Sequence, residues 1–294
     1  MKIKEIFDEK PLVFSLEIFP PKKSSDISTI YHTLDELTDT NPDFISVTYG
    51  AGGTGKNNLT SVIASKIKNE YHIEPLAHLT GLHHTKEDIS QILQDLQQQK
   101  IENILVLRGD RSPDLPVYND FPHSSDLARF ISSQYDFDLA GACYPEVHPD
   151  SVSPVADILN LQYKIDAGVS HLISQLFFNN DDFYAFMDRL AYAGIDIPVE
   201  AGIMPVTNSS QIRRIVSMCG ASMPAKFTRI VSRYEDNPEA LFDAGIAYAT
   251  EQIIDLIGSG VRGIHLYTMN NPAVAHKIYR NIKSILAATN GKKG

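Results

Sequence analysis

A carboxylate set among apolar residues is the most chemically suggestive feature of the chain: Glu17 stands in LVFSLEIFPP, flanked by Leu16, Ile18 and Phe19. Burial without a partner would raise its pKa and keep it protonated near neutral pH, as a general acid requires. An ion pair with a neighbouring Lys or Arg is the structural alternative. Asp110, in VLRGDRSP, is a second acid. Gly-Asp before Ser-Pro is ordinary turn chemistry, yet two carboxylates on one rim would also permit the paired acid and base work of a glycosidase. Other polar groups recur where apolar runs end: Thr48 and Tyr49, His78 and Thr80, Arg108 beside Asp110, Tyr144 and Glu146, Gln175, and Tyr267 with Asn270.

Some set of elements must carry these groups to one place. β-branched and aromatic runs at 12–19, 44–50, 74–80, 103–109, 138–144, 171–178, 197–203 and 263–268 read as strands. Amphipathic stretches at 25–39, 58–70, 85–99, 123–134, 152–166, 180–192, 208–216, 238–257 and 272–287 read as helices. Strands and helices in such regular succession imply a parallel sheet, and 294 residues suit a single (β/α)8 TIM barrel, an α/β fold; an open doubly wound sheet is the rival. Segment 218–236 reads as an extra loop or helix. No linker divides the chain, so residues 1–294 are expected to form one domain. A barrel gathers its chemistry at the carboxyl ends of its strands, where all but the seventh predicted strand place the polar groups just named.

The run Gly50-Ala51-Gly52-Gly53-Thr54-Gly55-Lys56-Asn57 matches GxGxxG and, but for Asn57, a P-loop. Asn57 lacks the hydroxyl that binds magnesium, which argues against an NTPase. Glu70, about 20 residues on, keeps a dinucleotide fingerprint or nucleotide-binding module open. The run follows the second strand rather than the first, however, and a rim loop covering a ligand is the simpler reading. His83-His84 point apart, and the first strand has no HxH pair to support Glu146 and His148, so no metal is expected. Cys143 and Cys219 have no basic neighbours and read as buried thiols. Two cysteines and the lack of a signal-peptide pattern suggest a reducing cytoplasm. A net charge of −10 without any basic run argues against nucleic acid, and no apolar run approaches the roughly 18 residues of a membrane span.

The blocks LEIFPPK (16–22), FISVTYGA (44–51), AHLT (77–80), LVLRGD (105–110), CYPEVHP (143–149), LQYKIDAGVSHLISQLFF (161–178), AGIMPV (201–206) and IHLYTMN (264–270) resemble, in order, those of the methylenetetrahydrofolate reductases. The resemblance implies a (β/α)8 flavoprotein of one-carbon metabolism, an oxidoreductase holding non-covalent FAD. It implies reduction of 5,10-methylenetetrahydrofolate to 5-methyltetrahydrofolate by NADH or NADPH in a ping-pong cycle that serves methionine synthesis. By the same resemblance Glu17 is the general acid of folate ring opening, and Asp110 is the acid near flavin and pterin. Gln175, Thr48 and Asp110 then contact folate, and Thr48, His78, Leu107, Arg108, Gly109, Asp110, Ala142, Tyr144, Asp157, Asn160 and Lys164 contact FAD. A homo-oligomer of the bacterial type, the catalytic barrel alone, is also implied. Three places depart from the family pattern: Gly55-Lys56-Asn57-Asn58 replaces an Arg-Asp-Arg-Thr-like run, Tyr163 stands for an Arg, and Asn271 stands for an Arg after the last strand.

Overall fold

In a computed structural model the strands close into a barrel in chain order, every neighbour parallel and the last strand paired to the first. Residues 1–21, 26–49, 59–208, 212 and 219–291 are described. The strands are β1 (Val13–Ile18), β2 (Phe44–Val47), β3 (Glu74–Thr80), β4 (Asn103–Leu107), β5 (Asp138–Cys143), β6 (Val169–Ser174), β7 (Val199–Ile203) and β8 (Gly263–Tyr267). Between them run α2 (Ser28–Leu37), α3 (Leu59–Asn69), α4 (Lys86–Gln98), α5 (Ser124–Gln134), α6 (Pro154–Asp166) and α7 (Asn180–Tyr192). An N-terminal helix α1 (Ile3–Glu9) precedes β1, α8 (Ala225–Tyr234) and α9 (Pro238–Gly258) separate β7 from β8, and α10 (Pro272–Gly291) follows. The fold is the (β/α)8 barrel read from the sequence. No described helix is long and apolar enough to cross a membrane.

Period-two alternation divides each strand between two environments. On β1, Phe14, Leu16 and Ile18 join Ile30, Leu34 and Leu37 of α2 in the layer between sheet and helices. Val13 points the other way, into the barrel, and Ser15 and Glu17 share its face. Side-chain caps start several helices where the sequence changes from loop to amphipathic period. Thr85 and Asp88 form a reciprocal capping box at α4, and Ser153 accepts from the Ala156 N–H ahead of Pro154 at α6.

Two elements depart from the sequence expectation, the sixth strand and an added N-terminal helix, while the expected extra segment 218–236 does carry a helix. The sixth strand is Val169–Ser174 rather than 171–178, because the apolar tail leaves the sheet. Leu176 and Phe178 pack in a separate cluster with Met204, Val206 and Phe227, while Phe177 enters the layer between sheet and helices. Segment 218–236 contains the helix α8, whose Phe227 stacks on Phe178 at 4.4 Å between ring centroids. Of the helix expected at 208–216, residues 209–211 and 213–216 lie outside the described residues, as does the glycine-rich run 50–57. Helix α1 was not foreseen. Its Ile3, Ile6 and Phe7 close the amino end of the barrel against Val13, Phe44, Leu76, Leu105, Ala140 and Ile173. Asn103 on β4 accepts from the Ile3 N–H at 2.8 Å, and Asp138 on β5 accepts from the Lys4 N–H at 2.8 Å, satisfying two donors at its start.

Candidate active site

Above the apolar plug the barrel interior turns polar. Strand register sets Glu200 on β7 level with Gly263 on β8, Ser15 on β1 level with His265 on β8, and Glu17 level with both Ser46 on β2 and Tyr267 on β8. Two glycines make room for this column. A Cβ at Gly263 would overlap the Glu200 side chain, and one at Gly202 would overlap the Ser174 carbonyl and press on the Tyr267 ring. Tyr267 instead donates its hydroxyl to that carbonyl at 2.9 Å.

Glu17 is placed at the carboxyl mouth, and its partners differ from both readings of the sequence. Neither an unpartnered carboxyl nor a Lys or Arg ion pair is found: its Oε2 lies 3.4 Å from Ser46 Oγ, 3.5 Å from His265 Nε2 and 3.5 Å from His78 Nε2. Burial presses the carboxyl upward. The His265 hydrogen bond, the charges of His78 and His265 and the Ser46 hydroxyl outweigh it and hold Glu17 below the ordinary carboxylate range. The expected upward shift is therefore corrected, because the neighbouring strands β2 and β8, and β3 beyond β2, supply partners the sequence reading did not include. His78 is pushed down to about 4, first by burial and further by His265, against the pull of Glu17. It is neutral at pH 7, so its charge acts on Glu17 only in acid. Tyr267 is driven well up by burial and then by Glu17, and its hydroxyl keeps its proton.

Most of the remaining expected residues follow strand ends at the carboxyl mouth, with Asp157, Asn160 and Lys164 on α6. Thr48 follows β2, with its N–H on the Ile18 carbonyl at 3.0 Å and its own carbonyl held by Thr60. Leu107 ends β4, and the chain then turns through Arg108 and Gly109, whose φ of 90° is left-handed and whose hydrogen faces Thr80. Arg108 reaches Asp150 with a 2.8 Å bond from Nη2. Asp110 is exposed beyond it, and both His83 nitrogens are engaged by carbonyls, Pro116 at 2.7 Å and Asp110 at 2.8 Å, which pins this loop. Burial and then the Asp110 charge raise Tyr144 to about 12, and the same two causes raise Cys219. Asp110 thus acts on Tyr144 and Cys219, while Glu17 contacts the histidines within the barrel, and Tyr267 feels Glu17, Cys219 and Tyr144 together.

Ala142 and Tyr144 stand at the end of β5, and Lys164 of α6 donates to the Ala142 carbonyl at 2.8 Å. Burial lowers Lys164 and raises Asp157, against the attraction each exerts on the other. Asn160, on the same helix, is exposed. Gln175 follows β6, its N–H on the Cys143 carbonyl at 2.7 Å and its side-chain oxygen on the Leu176 N–H at 2.9 Å. Glu70 does not belong here: it follows the carboxyl end of α3, away from the mouth, paired with Lys66, which removes the dinucleotide partner of the glycine-rich run. Among the described residues no group of three His, Cys, Asp or Glu is placed to hold a metal. Of the departures, Tyr163 is exposed and Asn271 caps α10 by accepting from the Ala273 N–H at 3.1 Å. Ser15, Ser46, Glu200 and His265 were missed by sequence reasoning. The signal for them is polar alternation inside apolar strands, as in Ser15-Leu16-Glu17 and His265-Leu266-Tyr267.

His78 makes stability depend on pH. Its value of about 4 in the folded chain lies below the ordinary 6.5, so the unfolded chain binds more protons between the two. This contribution, on the order of 3 kcal/mol, is present above pH 6.5 and lost as the pH falls toward 4. Glu200 has the opposite sign: burial lifts it from 4.5 to about 7, against His265 and Ser15 and with Asp43, so stability falls as pH rises through that window. Melting temperatures of the wild type and of His78→Asn across the acid range separate the two. The wild type should lose more stability below pH 6.5 than the variant; parallel curves would contradict a buried neutral His78.

Residues 2–283 match the family model described as methylenetetrahydrofolate reductase. The 5,10-methylenetetrahydrofolate reductases of Pectobacterium carotovorum and Escherichia coli are 35% identical over 266 residues, covering 90% of this chain and 88% of each relative. Methylenetetrahydrofolate reductase (NADH) 1 of Arabidopsis thaliana is 33% identical over 296 residues, 96% of this chain and 50% of its own length. A solved structure from Clostridium thermocellum, described as an uncharacterized protein that binds two copies of 5-methyl-5,6,7,8-tetrahydrofolic acid, shares the fold. Its TM-score is 0.71 at 13% identity, over 98% of this chain and 100% of that one. Sequence similarity on this scale, spread over every strand of the barrel, has one meaning: the chain belongs to the methylenetetrahydrofolate reductase family.

Proposed function

We propose that the protein reduces 5,10-methylenetetrahydrofolate to 5-methyltetrahydrofolate as an FAD-dependent oxidoreductase, with NADH or NADPH as reductant in a ping-pong cycle. The observation that carries this reading is Glu17, a largely buried carboxyl at the barrel mouth, 17% exposed, whose side-chain contacts are His78, His265 and Ser46, within a chain of this family. The relatives' names supply the reaction, and the plant relative's name favours NADH. Residues 1–294 act as one catalytic domain in this reading, in a homo-oligomer.

The rim fits an FAD by the chemistry of its donors. Arg108 and the buried Lys164 suit the pyrophosphate or ribitol, and Asp157 with Asn160 suits sugar hydroxyls. Leu107, Gly109, Ala142 and Tyr144 offer a narrow, largely apolar strip for a flat ring system, with Thr48 and His78 at its polar edge. The buried His78 Nε2, which has no hydrogen-bond partner, is an orphan that a ligand atom would satisfy. Bound there, FAD supplies two-electron hydride chemistry, taking from the nicotinamide and giving to the folate in separate half-reactions.

The chain's own residues do the rest. Glu17 delivers a proton to an imidazolidine nitrogen of the folate, which opens the ring to an iminium cation. Asp110 stabilises that cation by its negative charge. Gln175 meets the donor and acceptor edge of the pterin, beside Thr48. The barrel wall of Tyr267 and Tyr144 limits water around the reacting carbon. Binding of FAD to the flavin-free protein tests the assignment: flavin fluorescence should quench, and Lys164→Ala should weaken binding by about tenfold or more, the worth of one charge-assisted contact. No binding by the wild type would overturn it.

A further inference from the structure

Glu17 has to be protonated to act as proposed, yet its surroundings favour the carboxylate. A source of the proton is built into the barrel beneath it. Glu200 Oε1 lies 2.7 Å from Ser15 Oγ, and Ser15 Oγ lies 2.7 Å from His265 Nδ1. The other ring nitrogen, His265 Nε2, is 3.5 Å from Glu17 Oε2, and Ser46 Oγ stands beside both, 3.5 Å from the nitrogen and 3.4 Å from the carboxylate. The chain spans three successive inward-facing levels of the barrel, and Glu200, Ser15 and His265 are fully buried. We propose that Glu200 is a proton reservoir that loads Glu17 through Ser15 and His265, with the Ser46 hydroxyl assisting the last and longest link.

The balance is closed. In the loaded state the Glu200 carboxyl donates to Ser15 Oγ, the Ser15 hydroxyl donates to His265 Nδ1, and His265 Nε2–H donates to Glu17. Transfer moves one proton along each link. Glu200 becomes a carboxylate accepting from Ser15, His265 exchanges its Nε2–H tautomer for Nδ1–H, and Glu17 becomes the acid. No net charge is created, but the negative charge moves from Glu17 to the more deeply buried Glu200, so the transfer runs uphill and is drawn forward when Glu17 passes the proton to the folate. Glu17 then gives this proton to the folate, and the reservoir refills from solvent when the mouth is open.

The surroundings of Glu200 support a carboxyl that holds its proton near neutrality. Its Oε2 has no hydrogen-bond partner, a costly position for a buried carboxylate and a cheaper one for a carboxylic acid. Burial, with a smaller push from Asp43, lifts it to about 7 against the pull of His265 and Ser15. Asp43 is itself tied to Lys10 and to the Phe14 N–H at 2.9 Å. On β6 the nearest titratable group is His171, whose Nδ1 bonds Ser170 and which feels Asp138 and His265. At the upper end Glu17 is faced by Ser46, His78, His265 and Tyr267. Glu200 touches no ligand in this account and is a positioning residue that acts through Glu17.

This inference rests on Glu17 being the acid of the proposed reaction, and its test separates the two. The readout independent of turnover is carbon NMR of flavin-free protein labelled at glutamate side-chain carboxyls. One resonance should titrate near pH 7 and vanish in Glu200→Gln; in Ser15→Ala it should persist while the Glu17 resonance ceases to respond to it. In the reconstituted enzyme, both variants should slow the folate half-reaction at least about tenfold at and just below pH 7, where Glu200 is loaded, and remove its titration near neutrality, with nicotinamide oxidation unchanged. Wild-type rates and pH profiles in both folded variants would overturn the relay while leaving the function intact. No folate reduction by the wild type would overturn the function, and the NMR titration would still decide whether Glu200 and Glu17 exchange a proton.

Discussion

Glu17→Gln should abolish folate reduction and spare flavin reduction by the nicotinamide. The amide keeps the size of the carboxyl and its place between Ser46, His78 and His265, but it has no proton to give the folate nitrogen. Removing a positioned general acid costs about 10²- to 10⁴-fold, and the whole loss should fall on the folate half-reaction, since hydride transfer from the nicotinamide needs no proton from this site. Rapid-mixing absorbance of each half-reaction measures both rates on one sample. Equal losses in the two would mean that Glu17 shapes the cofactor site rather than protonating substrate.

Phe7→Ala should destabilise the barrel by about 3–5 kcal/mol without altering either half-reaction at temperatures where the protein stays folded. Phe7 is 2% exposed, packs with Ile3 and Ile6 in the amino-end plug and lies against His171 at 5.3 Å between ring centroids. Truncation leaves a cavity lined by residues of several strands that cannot close independently, so the transfer and cavity costs add. The chemistry lies at the other mouth, three inward levels away. Urea unfolding at fixed pH gives the loss directly, and a loss below about 1 kcal/mol would show that α1 docks without sealing the barrel.

The strands were legible because each combines β-branched or aromatic residues with a turn signal, and their number and order led to the barrel. The sixth was misplaced by its own apolar tail: Leu176, Phe177 and Phe178 read as strand but pack elsewhere, a choice made by tertiary contacts rather than by local pattern. Helix α1 escaped notice because seven residues give a short apolar stripe, meaningful only once there is a barrel mouth to fill. At the site, Glu17 stood out as a carboxylate among apolar neighbours. Its true partners come from β2, β3 and β8, and nothing local to residue 17 announces His78 or His265. Burial was foreseen and its consequence reversed, because the direction of a pKa shift depends on neighbours distant in the chain. Asp110 is the converse case: it lies on an exposed stretch after β4 with no turn at its own position, and only the fold shows that its charge acts on Tyr144 and Cys219.

The central claim is that this barrel passes electrons from a nicotinamide to a folate by way of a bound flavin. The most direct measurement is the visible absorption spectrum of the FAD-loaded protein under anaerobic conditions, recorded before and after NADH and again after 5,10-methylenetetrahydrofolate. The account predicts an oxidised-flavin spectrum that bleaches with NADH, or with NADPH if that is the donor, and returns on addition of the folate with formation of 5-methyltetrahydrofolate. A protein that takes up no FAD, or whose reduced flavin is not reoxidised by the folate, would contradict it.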